Sequence, residues 1–552
     1  MRRILDAYPA VASARPGEPA AFRLELDHDG RADPGWLSVR LRDNGNEMAY
    51  AEVKVQITPG HNILQVEVPV PDQDAYGYEA LLELVLEDGE HCHARTALLV
   101  ASHWRLAPRY GFLSEFPPGD PATDRVRELA KFHVTVVQFY DWMYRHYRFL
   151  PPQDDFTDAM ERCLSRATVA ERVYACHEAG MAALAYGAVY GAEPEFIDDH
   201  PDWVLRDAHD QPLSLIDLFY ITDLRPGSPW REHVLGEFES AVTELAFDGI
   251  HMDQYGFPKW AYDASGAAVD LAGCFPGLID EAAERVASRR GGAAVLFNAV
   301  NNWPVERVAR TKQAAVYIEV WSPHDQYRDL VNVIRRARDL SGKQVVLAAY
   351  LESFKDGGVA AEASALLATA VIASAGGHHL LLGEGHAALQ DPYYPNHAVL
   401  APEFVPIMRR YYDHTAALHA YLYPSDLVDV TNAFTLGINK ELALCGAKVS
   451  ATPEAGCAWI TVKQRGAQLV INLVNLVGVG TATWNTGKEQ PEPLSDLILK
   501  VGDFANVRRV SWSSPDEDAP IRELQPVPIS EGGTSIPLPQ LTVWATLVLD
   551  LV

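Results

Sequence analysis

The stretch Phe-Asp-Gly-Ile-His-Met-Asp-Gln-Tyr-Gly (247–256) decides the fold that we predict for this chain. A short apolar run within it ends on a carboxylate, Asp253. The run Ala-Val-Tyr-Ile-Glu-Val-Trp (315–321) places Glu319 in the same way. Each run predicts a buried parallel strand, and an acid at the C-terminal end of a barrel strand lies on the face where such folds carry chemistry.

The same alternation of apolar strand and amphipathic helix recurs eight times between residues 108 and 423, which predicts a closed (β/α)₈ TIM barrel. The predicted strands are Tyr110–Phe116, Val134–Trp142, Ala182–Tyr190, Gly249–Tyr255, Ala294–Val300, Ala315–Trp321, Gln344–Leu351 and His379–Gly383. The predicted helices are Val126–Phe132, Ala170–Ala179, Glu232–Leu245, Leu278–Ser288, Tyr327–Leu340, Ala360–Ala373 and Phe404–Leu418.

Segments of a different pattern flank this predicted barrel. Residues 1–107 and 424–552 hold short runs of alternating apolar and polar residues, separated by turns rich in Gly, Pro, Asp and Asn. Period-two runs at this spacing predict β-sandwiches. We therefore expect a multidomain protein with a β-sandwich over 1–107, a catalytic barrel over 108–423 and a second β-sandwich over 424–552.

Composition limits the partners that we expect. With 46 Lys and Arg against 74 Asp and Glu, the 552-residue chain carries a net charge of −28, which would repel nucleic acid and anionic membranes. The sequence contains no run of about eighteen apolar residues, so we predict no membrane-spanning helix. Asp6 and Pro9 interrupt the N-terminal apolar residues, so we expect a cytoplasmic protein, or a secreted one if a leader was removed.

The six cysteines show no spacing typical of a metal site or a disulfide framework. A bond between Cys445 and Cys457 is open on spacing, but two buried thiols are the simpler interpretation. Walker-type and Gly-x-Ser-x-Gly motifs are missing, which disfavours nucleotide hydrolysis and an α/β-hydrolase. No metal ligand set is predicted.

On the predicted strand count, Asp253 ends the fourth strand and Glu319 the sixth, so both should project into one pocket. Such a pair suits a retaining glycosidase, in which Asp253 is the nucleophile and Glu319 the acid/base. Either acid alone would more often be a helix cap or an ion-pair partner. Other strand ends supply aromatic and polar groups that suit a sugar, and the candidate binding residues are Tyr140, Asp141, Trp142, His146, Tyr186, Tyr190, Gln254, Tyr255, Asn298, Trp321, Tyr350, Glu352 and Glu384.

Several motifs resemble those of glycoside hydrolase family 66, the endo-dextranases and cycloisomaltooligosaccharide glucanotransferases. They are Tyr-Asp-Trp-Met-Tyr-Arg-His (140–146), Phe-Asp-Gly-Ile-His-Met-Asp (247–253), Tyr-Ile-Glu-Val-Trp (317–321), Leu-Gly-Glu-Gly-His (382–386) and Tyr-Tyr-Pro-Asn (393–396). The resemblance implies an immunoglobulin-like domain before the barrel and a Greek-key β-domain after it. By motif, Asp253 falls at the family's nucleophile and Glu319 at its acid/base.

The resemblance also implies a reaction, the retaining cleavage of internal α-1,6-glucosidic bonds in dextran or isomaltooligosaccharides. It implies no cofactor, and a structural calcium held by loop carboxylates stays open. The nucleophile is followed by Gln254-Tyr255-Gly256 where we expect a Thr-Ile-Gly-like stretch, so subsite details and the preferred linkage could differ from the family's. No long carbohydrate-binding insertion interrupts the barrel, whereas the family's cyclising enzymes commonly carry one, which favours hydrolysis over cyclisation.

Two alternatives remain open on the sequence: a transglycosylase that uses the same acids, and a non-catalytic glucan-binding protein on a decayed barrel. The presence of both Asp253 and Glu319 argues against decay. Chain-length preference, pH optimum and oligomeric state are not set by these patterns.

Overall fold

The computed structural model describes residues 2–87, 89–120, 122–435, 441–504, 506–529 and 532–552. Two antiparallel sheets come first along the chain, a curled parallel sheet surrounded by helices follows, and two mainly antiparallel sheets come last. This order agrees with the three kinds of sequence pattern.

The N-terminal strands form two sheets, in the orders β1-β2-β5 and β4-β3-β6-β7. Phe22 and Leu24 of the first sheet and Val39 and Leu82 of the second are buried in one cluster between the sheets. Because side chains alternate along a strand, the polar residues between them face outward. The strands are β1 (Arg2–Pro9), β2 (Ala20–His28), β3 (Asp33–Asp43), β4 (Asn46–Ile57), β5 (Gly60–Val68), β6 (Tyr76–Leu86) and β7 (His91–Val100).

The middle of the chain alternates strands and helices. Its strands are β8 (Tyr110–Leu113), β9 (Val136–Phe139), β10 (Asp155–Thr157), β11 (Cys163–Ser165), β12 (Ala182–Ala188), β13 (Gly191–Ala192), β14 (Ser214–Leu215), β15 (Phe219–Ile221), β16 (Gly249–Asp253), β17 (Trp260–Tyr262), β18 (Ala268–Asp270), β19 (Ala294–Asn298), β20 (Val316–Glu319), β21 (Val345–Ala348), β22 (His378–Leu380), β23 (Leu382–Gly383), β24 (Ala387–Ala388) and β25 (Ala398–Val399). Its helices are α1 (Thr123–Lys131), α2 (Arg166–Glu178), α3 (Pro194–Asp199), α4 (Pro229–Glu244), α5 (Leu271–Arg289), α6 (Val305–Val308), α7 (Tyr327–Ser341), α8 (Gly358–Ala375), α9 (Val405–Ala417) and α10 (His419–Leu422).

Within the described residues, parallel pairing joins β8, β9, β12, β16, β19, β20, β21 and β22 in that order. Each coincides with a strand predicted from the sequence. β22 pairs with β21, and after Leu381 the chain continues as β23, in which Gly383 pairs with Phe112 of β8. The sheet therefore curls until its last strand segment contacts its first strand.

Both faces of the curled sheet are buried. Val137 and Phe139 face the helices, whereas their neighbour Val136 joins an inner cluster with Leu184 and Leu296. Helices cover the outside and side chains fill the inside, so these strands are apolar throughout rather than alternating. Side chains at the C-terminal ends of the strands then lie directly above a packed interior.

Helix α8 is the one described helix that is long and apolar enough to cross a membrane, and 67% of it is buried within the protein. It contacts α7, α9 and β22, as a core helix of the curled sheet does. Length and composition alone are weak evidence of a span.

The C-terminal sheets run in the orders β26-β29-β30-β36-β32-β33 and β27-β31-β35-β34, with β28 beside β29. Ile460 and Leu547 pack between the two sheets, whereas Trp459 and Trp544 turn to the core of the central segment. All six cysteines are free thiols. The elements are β26 (Val428–Asp429), α11 (Thr431–Thr435), β27 (Leu442–Cys445), β28 (Val449–Ser450), β29 (Ala458–Arg465), β30 (Gln468–Asn475), β31 (Ile498–Val501), β32 (Val507–Ser513), β33 (Arg522–Leu524), β34 (Val527–Pro528), β35 (Thr534–Pro537) and β36 (Trp544–Leu551).

The N-terminal sheet packs on α9 through Gly77. A Cβ atom at Gly77 would lie 1.8 Å from the Ala416 carbonyl oxygen. We expect Gly77→Ala to lower the free energy of unfolding by about 1–3 kcal/mol, because backbone must move to admit the methyl group. Thermal melting measures the change. The control is Gly236→Ala in α4, where no such atom lies within 4 Å; it should stabilise by about 0.5–1 kcal/mol. An equal response of both variants would contradict the close packing.

Candidate active site

Asp253 and Glu319 lie at the C-terminal ends of β16 and β20, the fourth and sixth parallel strands, as predicted from the sequence. One strand, β19, separates them in the sheet. Both residues are half-buried, whereas the strand residues that precede them are fully buried. The strands thus hold the two backbones rigidly and leave the carboxylates at the opening.

The side chain of Asn298, at the end of β19, joins the two acids. Its Nδ2 donates to Oδ1 of Asp253 and to Oε2 of Glu319, each at 2.8 Å. Its Oδ1 accepts from the backbone N–H of Glu319 at 3.3 Å, which fixes the orientation of the amide. The two acceptor oxygens therefore lie no further apart than the sum of these two short bonds.

A tyrosine hydroxyl donates to the other oxygen of each acid. Tyr186 of β12 donates to Oδ2 of Asp253 at 2.8 Å, and Tyr350, two residues beyond β21, donates to Oε1 of Glu319 at 2.7 Å. Burial raises the pKa of both tyrosines well above the ordinary value, so both keep their protons and act as donors at neutral pH.

Burial raises the pKa of both Asp253 and Glu319, and the charge of Glu319 raises that of Asp253 further. The hydrogen bonds from Asn298 and the tyrosines oppose this effect without cancelling it. Two carboxylates in this setting resist simultaneous ionisation, so the site favours one shared proton. This is the electrostatic state that an acid and a nucleophile require together.

The two acids line a cavity of about 400 Å³. Of the residues predicted from the sequence, the structure brings the following to its wall: Tyr140, Asp141, His146, Tyr186, Asp253, Gln254, Tyr255, Asn298, Glu319, Trp321 and Tyr350. Trp321 is 39% exposed at the rim. Aromatic rings next to carboxylates and amides give the apolar faces and polar edges that a sugar ring can occupy.

One wall holds a second group of charged residues. Nδ1 of the buried His146 lies 3.0 Å from Oε1 of Glu193, and its Nε2 lies 4.0 Å from Oδ1 of Asp141. Burial lowers the pKa of His146, but the carboxylates of Glu193 and Asp141 outweigh this and raise it overall. Asp141 adopts a left-handed backbone conformation (φ 43°), which turns its carboxylate into the cavity lining. Strain of this kind concentrates at functional sites.

Four of the predicted site residues lie away from the cavity wall. Trp142 is buried and donates to the Tyr186 carbonyl at 3.1 Å, and Tyr190 is buried and accepts from the backbone N–H of Tyr255 at 2.7 Å. Both support residues that do line the cavity. Glu352 faces solvent 3.6 Å from Lys355, and Glu384 is buried in an ion pair with Arg172 at 2.6 Å.

Gln254 lines the cavity, but its amide is engaged with the backbone. It donates to the Asn298 carbonyl at 3.0 Å and accepts from the Gly256 N–H at 2.7 Å, which pins the loop after β16. The hydroxyl of Tyr255 is buried and has no hydrogen-bond partner in the described part of the chain. It packs against the backbone of Gly191, where a Cβ atom would lie 2.4 Å from it.

The structure adds wall residues that the sequence reasoning did not select: Gln138, Met160, Leu215, Ile216, Phe219, His251, Val300, Tyr317, Pro392, Tyr393 and Tyr394. Tyr394 stacks on Tyr140 with 4.3 Å between ring centroids, and its hydroxyl lies 3.0 Å from that of Tyr317. The Tyr-Tyr-Pro-Asn motif was a signal for Tyr393 and Tyr394. His251 points into the curled sheet beside Tyr110, and burial lowers its pKa to about 3.

A strained hairpin, β14–β15, forms part of the rim. Ile216 and Asp217 at its tip both have left-handed backbones, with φ of 50° and 54°. The N–H of Leu218 bonds the carbonyl of Leu215 at 3.1 Å across this turn. A β-branched residue is unfavourable in this conformation, and Ile216 is 66% exposed, so packing does not explain it. No repeat pattern in the sequence marks this hairpin.

One group in the described residues could hold a metal, formed by Glu83, His91 and His93. It lies on β6 and β7 of the N-terminal sheet and includes none of the cavity residues.

The carboxylate pair at the strand ends, in an aromatic-lined cavity, defines the class of protein as a glycoside hydrolase. The sequence profile of glycosyl hydrolase family 66 matches residues 12–548. The chain therefore belongs to glycosyl hydrolase family 66, which confirms the resemblance found in the sequence.

Relatives agree with this assignment. A cycloisomaltooligosaccharide glucanotransferase from Niallia circulans is 27% identical over 389 residues, which is 65% of this chain and 39% of that protein. A dextranase from Streptococcus salivarius is 22% identical over 382 residues, 58% of this chain and 46% of that protein. The matches thus span less than half the length of these two relatives.

A solved structure shows the same fold. It is a Paenibacillus cycloisomaltooligosaccharide glucanotransferase complexed with cycloisomaltoheptaose, with a TM-score of 0.90 at 20% identity. The alignment covers 99% of this chain and 100% of the solved chain.

Asp253→Asn should stabilise the fold at neutral pH. The folded-state pKa of Asp253 is raised, so the ionised carboxylate costs stability as pH rises above the unfolded value of about 3.9. The variant should gain about 1–2 kcal/mol over the wild type at pH 7.5 and little at pH 4, as measured by thermal melting at both pH values.

Asp248→Asn, at the other end of the same strand, is the matched control. Burial alone would raise the pKa of Asp248, but His177 at 2.7 Å and Arg290 at 3.1 Å lower it overall. The stabilisation that ionised Asp248 gives the fold is present above its unfolded pKa and is lost on acidification. The Asp248→Asn variant should therefore be less stable than the wild type at pH 7.5. The same sign of change in both variants would refute the assigned pKa directions.

Ile216→Gly should raise the melting temperature, because glycine tolerates the left-handed backbone that costs isoleucine about 1–2 kcal/mol. Because Ile216 lines the cavity, the variant should also raise KM for a ligand of that cavity. Asp217→Gly relieves the neighbouring strain without altering a wall residue, and its KM should stay unchanged. An Ile216→Gly enzyme with a raised melting temperature and a wild-type KM would show that the Ile216 side chain does not contribute to ligand binding.

Proposed function

We propose that this chain cleaves α-1,6-glucosidic linkages of dextran or isomaltooligosaccharides with retention of anomeric configuration. The observation that carries the proposal is the pair of half-buried acids, Asp253 and Glu319, which are bridged by Asn298. They end strands on either side of β19, and both line the aromatic cavity. The linkage is inferred from the named relatives, one a dextranase and one a cycloisomaltooligosaccharide glucanotransferase.

The retaining course is supported by the separation of the acids. Because Asn298 Nδ2 lies 2.8 Å from an oxygen of each acid, those oxygens are no further apart than the two bonds together, which favours the separation of about 5–5.5 Å typical of retaining enzymes. An inverting enzyme places its carboxyl groups about 6.5–9.5 Å apart to admit water between them.

In the proposed reaction Asp253 attacks the anomeric carbon while Glu319 donates its proton to the leaving glycosidic oxygen. A covalent glycosyl-enzyme forms on Asp253. Glu319, now ionised, takes a proton from water as the water attacks the same carbon and releases Asp253. Asn298 and Tyr186 stabilise the carboxylate of Asp253 when it leaves, and Tyr350 orients Glu319. The two acids carry every proton, so this course requires no cofactor.

We propose that the curled sheet is a closed (β/α)₈ barrel with an immunoglobulin-like domain before it and a Greek-key domain after it. The order of the eight parallel strands and the pairing of Gly383 with Phe112 support closure. The two stacked sheets at each end of the chain support the flanking β-domains. The proposed boundaries remain residues 1–107, 108–423 and 424–552.

Transglycosylation by the same acids is the second candidate, and the two relatives named as glucanotransferases favour it. It shares the glycosyl-enzyme, which a sugar hydroxyl then attacks in place of water. The time course of products from high-molecular-weight dextran separates the two. Linear isomaltooligosaccharides indicate hydrolysis, and cyclic or lengthened products indicate transfer. An inactive chain with intact glucan affinity would indicate a binding protein.

Asp253→Asn and Glu319→Gln should each lower turnover of dextran about 10³-fold or more, with melting transitions preserved. Azide assigns the roles on an aryl α-glucoside with a good leaving group. Glu319→Gln should still form the glycosyl-enzyme, which azide converts to the α-glycosyl azide, because the acid is not needed for that leaving group.

Asp253→Asn should instead yield the β-glycosyl azide, since azide attacks the substrate directly in place of the missing nucleophile. Product anomers are read by NMR. Exchange of the two outcomes would reverse the assignment of the acids. Asn298→Ala should also lower turnover, because it removes the donor common to both acids.

A further inference from the structure

A second cavity, of about 730 Å³, lies between helix α7 and the C-terminal sheets. Arg328, Arg335 and Arg338 line it from α7, and Asp429 of β26 and Lys463 of β29 line it from the other side. Asp339 is the second acid of the wall, so four cationic side chains face two carboxylates. This local excess of positive charge occurs in a chain whose net charge is −28.

Lys463 is the central feature of this cavity because it is only 7% exposed. Its neighbours Ile460 and Val462 pack between the C-terminal sheets, whereas Lys463 joins the wall toward α7. Asp429 stands opposite it in the strand pairing, but the Asp429 carboxylate binds Arg335 at 2.6 Å and the Thr431 N–H at 3.0 Å. In the described part of the chain the Lys463 ammonium has neither a hydrogen bond nor an ion pair.

Arg338 likewise forms no ion pair in the described residues, although the charge of Asp339 favours its protonated form. Its guanidinium donates to the carbonyls of Gly376, Tyr423 and Pro424 at 2.7–3.0 Å, all of them neutral acceptors. Arg328 is exposed at the cavity edge. A buried ammonium without an acceptor is costly, and a charged acceptor relieves that cost most.

We propose that this cavity binds a small dianion of the phosphate or sulfate type, with the Lys463 ammonium as its central donor and Arg328 as a second. Charge-assisted hydrogen bonds to such an anion would satisfy Lys463 and offset the repulsion among the four cations. Residues described at the wall include no aromatic ring on which a sugar could stack, so the chemistry differs from that of the active-site cavity.

The ionisation of Lys463 is consistent with this site. Burial, followed by the charge of Arg338, lowers the pKa of Lys463 to about 7. Arg335 lowers it too, and Asp429 opposes them. A bound dianion would raise the pKa again and hold the protonated form.

Calorimetric titration of the whole chain with sodium sulfate at pH 7, in chloride of matched ionic strength, tests the proposal. We expect saturable binding to the wild type, loss of that binding in Lys463→Met, and about tenfold weaker binding in Arg328→Ala, a change of about 1.4 kcal/mol. Lys500→Met, at an exposed lysine of β31 in the same domain, should bind as the wild type does.

A second readout does not depend on a folded Lys463→Met protein. A lysine with a lowered pKa reacts readily with an acetylating reagent, and mass spectrometry of the tryptic peptides measures its rate. Sulfate or inorganic phosphate should slow acetylation of Lys463 several-fold and leave Lys500 unchanged. Absence of saturable heat in the wild type, unchanged binding in both cavity variants, or equal acetylation with and without the anion would overturn the proposal.

Discussion

The two hydrogen bonds from the amide of Asn298 are the interaction on which the candidate site depends. One nitrogen donates to Asp253 and Glu319 at 2.8 Å each, so the acids are kept close although both resist ionisation there. An amide can do this because its NH₂ group has two donors and carries no charge. A lysine would neutralise one acid and remove the shared proton. The three residues end three successive parallel strands, and only a rigid sheet fixes such a contact.

Much of the fold could be predicted because the parallel strands are apolar on both faces and separated by long amphipathic helices. All eight appear within a few residues of the predicted bounds, and the ends of β16 and β20 fall on Asp253 and Glu319. The residues of the cavity wall were harder to predict, because the direction in which a side chain points after the end of a strand depends on the conformation of the loop backbone. The left-handed backbone of Asp141 sends its carboxylate to the cavity and Trp142 to the core.

Loop backbone also carries Glu352 and Glu384 away from the cavity wall. β21 ends at Ala348, so Tyr350 still reaches Glu319, whereas Glu352 lies on the exposed side of a short 3₁₀ helix (Glu352–Lys355). The strand containing Leu381 divides into β22 and β23, and the turn that follows sends Glu384 to Arg172 of α2. A hydrophobic pattern carries no information on such turns. The β14–β15 hairpin, with its strained Ile216, is likewise not predicted by such a pattern, because its short strands have no clear periodicity.

Strand β16 and the residue before it show how stability and chemistry are divided between the two ends of a parallel strand. Asp248 lies at the start, where the hydrogen bond with His177 and the charge of Arg290 lower its pKa. Asp253 lies five residues later and meets another acid and neutral donors only, which leaves its pKa raised. At neutral pH the ionised Asp248 therefore stabilises the fold, whereas the ionised Asp253 destabilises it. Both acids are of one residue type on one rigid element, so the neighbouring side chains decide which one stabilises the fold and which is suited to nucleophilic chemistry.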